Sequence, residues 1–124
     1  MEEQYVENVR PPGKTTIAPD VLLSIAKLTT LGIKGVNRMT PVPGGVNWIP
    51  KRHQAEGVRI EIEDDQVYAD IYVILESDVN VREVSRNIQS SVARAISEMV
   101  GVDVGRVNIH IEDIQYPSES KAEA

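Results

Sequence analysis

The feature of this sequence that most constrains its fold is a pair of neighbouring segments in which apolar and polar residues alternate. Every second residue in 58–63 and 67–75 is apolar, and these positions are Val58, Ile60, Ile62, Val67, Ala69, Ile71, Val73 and Leu75. Alternation with a period of two predicts β-strands that have one apolar face. The polar residues 64–66 between the segments favour a turn, so we predict an antiparallel hairpin. Its apolar face must be covered by other elements.

A first helix is predicted over residues 19–31. Pro19 suits the first position of a helix, and Gly32 can end the helix in the left-handed conformation. The apolar stripe predicted to face the core comprises Leu22, Ile25, Ala26 and Thr29, widened by Val21 and Leu28.

A second helix is predicted over residues 81–100. Asn80 can cap its start, Glu83 occupies the capping-box position, and Gly101 can end it. Its predicted buried stripe comprises Val84, Ile88, Val92, Ala95, Ile96 and Met99. Together, the two helices can cover the apolar face of the hairpin.

Shorter strands are predicted at residues 14–17, 35–39 and 106–114, and prolines and glycines predict a loop over residues 40–56. In the last strand Val107, Ile109 and Ile111 face one way, and Asn108, His110 and Glu112 face the other. We therefore predict an α+β fold in two layers, with one mixed, mainly antiparallel sheet and both helices packed on one face.

The predicted domain occupies residues 13–116. Residues 1–12 are polar and end in an Arg-Pro-Pro sequence, which predicts a flexible N-terminal arm. Residues 117–124, rich in Ser, Glu and Ala, predict a flexible C-terminal tail.

Few residues of this sequence are suited to catalysis or metal binding. The chain has no cysteine, and its two histidines, His53 and His110, lie on different predicted elements. No nucleophile, base and orienting group are recognisable around them. His110 and Glu112 could donate two metal ligands from one strand face, but no third ligand has a recognisable spacing. We therefore expect no enzyme activity, no bound metal and no cofactor.

The sequence also indicates where in the cell the protein is located. No apolar run approaches the ~20 residues that span a bilayer, and Glu2 and Glu3 near the N-terminus are unlike a secretion signal. We expect a cytoplasmic protein that does not insert directly into a membrane.

Nucleic acid is a disfavoured partner. The formal net charge is -6, which repels a phosphate backbone. Tyr68 and Tyr72 are predicted on the exposed sheet face and could stack on bases, but Asp70 lies between them. A small α+β nucleic-acid-binding module therefore remains the alternative to a protein-interaction module.

Charge is segregated along the chain. Residues 34–59 carry basic side chains and a single acid, Glu56, whereas residues 61–78 carry acids and no basic residue. Oppositely charged regions allow copies to dock head to tail, although a solvated surface with chance clustering is the alternative. The predicted interaction residues are Trp48, Lys51 and Arg52 on one side and Glu61, Glu63, Asp64 and Asp65 on the other.

Several short motifs follow one another along residues 13–114. They are Gly13 with Ile17-Ala18-Pro19-Asp20-Val21 and Gly35-Val36, then Gly57-Val58 with Asp70-Ile71-Tyr72-Val73, and finally Val79-Asn80-Val81 with Met99-Val100-Gly101 and Val107-Asn108-Ile109-His110-Ile111. In this order and spacing the chain resembles the alkaline shock protein 23 (Gls-type) family of the envelope stress response.

The resemblance implies a bacterial, cytoplasmic and non-enzymatic scaffold or interaction module. It also implies self-association and a position near the membrane through a separate, membrane-anchored protein partner. The family offers no catalytic residues to transfer to this chain. Trp48 and residues 51–53 do not match the family pattern, so the resemblance does not identify the partner.

Overall fold

The computed structural model describes Gly13, residues 16–43 and residues 52–116. Within this part the chain forms two helices and five strands. The helices are α1 (Pro19–Leu31) and α2 (Val81–Val100), and the strands are β1 (Val36–Met39), β2 (Arg52–Ala55), β3 (Val58–Glu63), β4 (Gln66–Glu76) and β5 (Asp103–Gln115). The predicted arm and tail lie outside the described residues.

Strand β4 is the centre of the sheet, and its two edges are used differently. One edge pairs with β3 up to Ile71 and with β1 beyond it, antiparallel in both cases. The other edge pairs in parallel with β5, from Gln66 opposite Asp103 to Glu76 opposite Gln115. Strand β2 pairs with the outer edge of β3. The sheet is mixed and mainly antiparallel, so the predicted α+β class is confirmed.

The hydrophobic core lies between the sheet and the two helices. The alternating apolar residues of β3 and β4 point towards both helices, as the sequence pattern predicts. The largest fully buried side chains of this core include Ile60, Ile71, Leu75, Ile88 and Ile96. Complete burial of such a side chain contributes about 1.5–3 kcal/mol, so these positions hold the two layers together.

Both ends of α2 are confirmed. The Asn80 side-chain oxygen accepts a hydrogen bond from the Glu83 backbone N–H at 3.0 Å. At the other end Gly101 is left-handed, with φ 74°. The local cap signals therefore set both ends of this helix.

The predicted end of α1 is wrong in its conformation. Gly32 is right-handed, with φ −84°, and the chain reaches a left-handed residue only at Gly35, with φ 103°. At Gly35 an added Cβ would lie 2.9 Å from Cγ2 of Val84. The fold therefore requires glycine at position 35, because the chain passes close to α2 there.

Two strand predictions also need correction. Thr16 and Ile17 are not in a strand, and residues 14 and 15 lie outside the described part. The predicted loop over residues 40–56 contains β2, which pairs with β3 from Arg52 opposite Glu61 to Ala55 opposite Val58. Strand β2 lies at a sheet edge and has a polar sequence, so it lacks the apolar alternation that would have predicted it.

The hairpin between β3 and β4 is confirmed and has a tight turn. Glu63 pairs with Gln66, which leaves Asp64 and Asp65 as the two turn residues. Both have positive φ, 52° and 64°. This is the pattern of a type I′ turn, whose twist matches that of paired strands.

Candidate interaction surfaces

An apolar groove lies on the helical layer between α1 and the C-terminal end of α2. Its volume is about 460 Å³, and its lining residues are Asp20, Val21, Ser24, Ile25, Leu28, Thr29, Met99 and Val100. Leu28 is 69% exposed and Met99 is 70% exposed, although both are large apolar side chains. Among the described residues, Asp20 is the one ionisable residue in this lining.

The groove corrects the stripes predicted for the two helices. Val21, Leu28 and Met99 are predicted to face the core, but the structure exposes all three. Helix α1 instead buries Leu23 and Thr30, so its core-facing side is rotated from the predicted one. Only one flank of each helix touches the sheet, which leaves the other flank uncovered. The exposed side chains of Leu28 and Met99 make this groove a candidate site for a protein contact.

A second feature is a polar cluster on the sheet face opposite the helices. Asp70 of β4 is its centre and accepts a hydrogen bond from Asn108 Nδ2 at 3.2 Å. Nε2 of His110 lies 3.0 Å from the same Oδ1 atom, and Nη2 of Arg59 lies 3.4 Å from Oδ2. The register causes this convergence, because Asp70 lies opposite Arg59 on β3 and Asn108 on β5.

The electrostatics of this cluster favour an ionised Asp70. Burial tends to raise the pKa of the Asp70 carboxyl. Hydrogen bonds from His110 and Asn108 and the positive charge of Arg59 outweigh burial, so the pKa lies below its ordinary value of 3.8. Asp70 is thus a fixed negative charge that holds together side chains from three strands.

The two tyrosines of this face already contact neighbouring side chains. The Tyr72 ring stacks on His110 with centroids 4.4 Å apart, and Arg59 Nη2 donates to the Tyr72 hydroxyl at 3.3 Å. Tyr72 is buried, so the predicted exposed aromatic pair is wrong at this position. The Arg106 guanidinium lies 5.7 Å from the centroid of the Tyr68 ring. Tyr72 therefore does not offer an open ring on which a base could stack.

The chemical capacity of this face is limited within the described part of the chain. His110 contacts Asp70 and Tyr72, but no hydroxyl or amine nucleophile among the described residues is hydrogen-bonded to it. Across residues 16–43 and 52–116, no group of three potential metal ligands converges. The cluster is best described as a cross-strand network that stabilises the sheet.

The interaction residues predicted from charge are only partly placed by the structure. Arg52 on β2 lies directly opposite Glu61 on β3, within one copy of the chain. Glu63 ends β3, and Asp64 and Asp65 form the hairpin turn. Trp48 and Lys51 lie outside the described residues, so the contact proposed between copies stays a prediction.

Sequence reasoning missed the apolar groove because its members were assigned to core stripes. One signal could have revealed it. The predicted stripe of α1 is wider than a helix in a two-layer fold can bury, because such a helix packs through one flank. Surplus apolar positions on such a helix indicate a second, outward contact.

Fold and surfaces together describe a small two-layer α+β domain whose exposed apolar groove lies on its helical layer. None of the helices in the described part is long and apolar enough to cross a membrane. The chain belongs to the alkaline shock protein 23 family, whose model matches residues 7–116 and is described as having a cell envelope-related function. The resemblance read from the sequence is therefore confirmed.

Curated relatives support this membership. Protein Spy1535 of Streptococcus pyogenes is 37% identical over 105 residues, which cover 82% of this chain and 79% of that protein. A stress response regulator gls24 homolog of the same species is 24% identical over 132 residues, covering 99% of this chain and 74% of its own length. Among solved structures, a MamM CTD chain is 10% identical, with a TM-score of 0.48 over 78% of this chain and 96% of its own.

Proposed function

We propose that this protein is a non-enzymatic, cytoplasmic scaffold of the envelope stress response that binds a membrane-anchored protein through its apolar groove. The observation that carries the proposal is the exposure of Leu28 and Met99 on facing flanks of two helices. Family membership supports the link to the cell envelope. In this role the protein is held near the membrane by its partner and also associates with further copies of itself.

The groove fits an amphipathic helix of the partner. A groove between two helices accepts a third helix, whose apolar residues recur at positions i, i+3, i+4 and i+7. The lining offers apolar contacts and one charge, the Asp20 carboxylate. A Lys or Arg beside the apolar stripe of the incoming helix would pair with Asp20. The net charge of -6 also favours a basic partner segment.

A synthetic helical peptide tests this chemistry directly. The probe carries Leu at the four stripe positions and Lys beside the stripe, and fluorescence polarisation measures its binding. We expect Leu28→Glu and Met99→Glu to abolish binding, because each places a carboxylate in the apolar contact. Both residues are largely exposed in the free protein, so their unfolding free energies should change by less than about 0.5 kcal/mol.

A charge exchange provides the matched control. Asp20→Lys should weaken binding of the Lys peptide and strengthen binding of an otherwise identical Glu peptide. In cells, the wild type should fractionate with membranes, and Leu28→Glu should release it. Equal binding of both peptides by wild type and Leu28→Glu would refute the groove as the partner site.

A further inference from the structure

The outer edge of β5 is the longest open strand edge in the described part of the molecule. Strand β5 spans Asp103–Gln115 and pairs there with β4 alone. The other two edge strands, β1 and β2, have four residues each. An open edge presents backbone N–H and C=O groups with which another strand can pair.

A side-chain contact indicates which backbone groups of β5 point outward. Gln89 Nε2 on α2 donates to the Val107 carbonyl oxygen at 3.0 Å. A carbonyl directed at β4 would be used in the ladder, so this carbonyl points away from β4. Backbone groups of alternate residues point to the same side of a strand. Val107, Ile109 and Ile111 therefore present their N–H and C=O groups at the outer edge.

We propose that β5 pairs antiparallel with β5 of a second copy, about a two-fold axis at Ile109. This inference rests on the scaffold role proposed above and names the surface through which copies associate. Ile109 exchanges both backbone hydrogen bonds with Ile109 of the second copy, and Val107 does so with Ile111 of that copy. The axis is perpendicular to the sheet, so one continuous sheet forms and all helices lie on the same side.

Charge complementarity selects this register. With the axis at Ile109, Arg106 lies opposite Glu112 of the second copy, and symmetry repeats the pair. Both side chains are exposed. The Arg106 guanidinium lies over the Tyr68 ring of its own chain and turns towards Glu112 on pairing. The ladder shifts register next to Glu112, but Asp113 follows it, so a carboxylate faces Arg106 in either case. An axis one residue earlier or later places His110 or Ile114 opposite Arg106 and loses both ion pairs.

The apolar side of β5 favours the same pairing. Ile109 and Ile111 point towards the helical layer but are only half-buried, because β5 is the last strand on this side of the described sheet. Pairing places Val107 beside Ile111 of the second copy on this face. Cross-strand contacts between β-branched residues stabilise paired strands. One contact thus pairs the open strand edge and covers the half-buried side chains.

Complementary charge reversals test the register. Arg106→Glu and Glu112→Arg should each weaken self-association about tenfold or more in analytical ultracentrifugation, because every cross-copy pair then repels. An equimolar mixture of the two variants should associate again, since both pairs in the mixed dimer are then attractive. Lys34→Glu makes the same charge change as Arg106→Glu on an exposed residue outside β5 and should leave association through β5 unchanged.

The hydrogen bond from Gln89 gives an independent check. Its amide competes with the second copy for the Val107 carbonyl, so Gln89→Ala should strengthen association. Wild-type protein that remains monomeric at ~1 mM, variants that associate as the wild type does, or a mixture that fails to recover would each overturn the proposal. The charge variants should still bind the Lys peptide described above, which separates failure of this contact from failure of the groove.

Discussion

Gly101 shows how one residue ends a helix by its conformation alone. Its φ is 74°, and an added Cβ would have no atom within 4 Å. We therefore expect Gly101→Ala to lower the free energy of unfolding by about 1–2 kcal/mol through the left-handed backbone and not through a clash. Urea unfolding measures the change.

Gly32 is the matched control for this substitution. It is right-handed, and the nearest atoms to an added Cβ are 3.6 Å away. Gly32→Ala should be neutral or stabilising by about 0.4–1 kcal/mol, because alanine restricts the unfolded chain. Equal losses at Gly32 and Gly101 would contradict the assignment of the two conformations.

Asp70 makes the stability of the protein depend on pH in the acidic range. Its pKa is lowered in the folded state, so its contribution is complete above the unfolded value of 3.8 and is lost as the pH falls through the folded value. We expect Asp70→Asn to be less stable than wild type at pH 7. The difference should shrink below pH ~4, as urea unfolding at constant ionic strength would reveal. Asp78→Asn, at an exposed turn residue, is the control for removing one carboxylate.

At the scale of elements, the two helices begin with unequal caps. Asn80 accepts the Glu83 N–H at the start of α2, whereas Ala18 gives α1 no side-chain hydrogen bond. We expect Asn80→Ala to destabilise the fold by about 1 kcal/mol and Asn80→Ser to retain most of the stability. Ala18→Ser should stabilise by a similar amount, measured by thermal unfolding. A neutral Asn80→Ala would show that the cap contributes nothing.

Elements were predictable from the sequence where their signals are local. Helix α2 carries its caps within its own residues, and the β3–β4 hairpin carries its alternation and polar turn. Strand β2 lacks such a signal, because its polar residues become a strand only through pairing with β3. The left-handed turn after α1 depends on the approach of Gly35 to Val84, which is a contact between distant residues.

The candidate sites were less predictable because they also depend on contacts between residues that are distant in the sequence. Apolar spacing shows that Leu28 and Met99 avoid water, but it does not distinguish burial in the core from burial by a partner. The Asp70 network depends on the parallel register of β4 and β5, and this register cannot be predicted from the sequence of either strand alone. The charge separation was visible in the sequence, but its spatial arrangement was not.

At the scale of the whole molecule, salt can separate two modes of self-association. Attraction between exposed charges is screened over about 8 Å at physiological salt. Arg106→Glu weakens the β5 contact. In this background, any association between the basic residues Lys51 and Arg52 and the acidic hairpin residues Glu61, Glu63, Asp64 and Asp65 should persist at low salt. Light scattering should then show its loss at high salt or in Lys51→Glu/Arg52→Glu.

This experiment has one internal check. Arg52→Glu also places two acids opposite each other, because Arg52 pairs with Glu61 within the chain. Monomer stability must therefore be measured for the same variant. An Arg106→Glu protein that is monomeric at low salt would rule out the contact between the loop and the hairpin.

The parallel pairing of β4 and β5 also sets the order in which the sheet can be completed on the ribosome. A parallel partner is reached through a crossover, here α2, so β5 is synthesised only after residues 77–102. Translation adds about 5–20 residues per second, and during this interval the apolar strand β4 has one edge without its native partner. An unpaired strand edge can pair with another chain during this interval. A slow codon cluster within α2 would lengthen this exposure, whereas rapid translation of α2 would protect the emerging sheet.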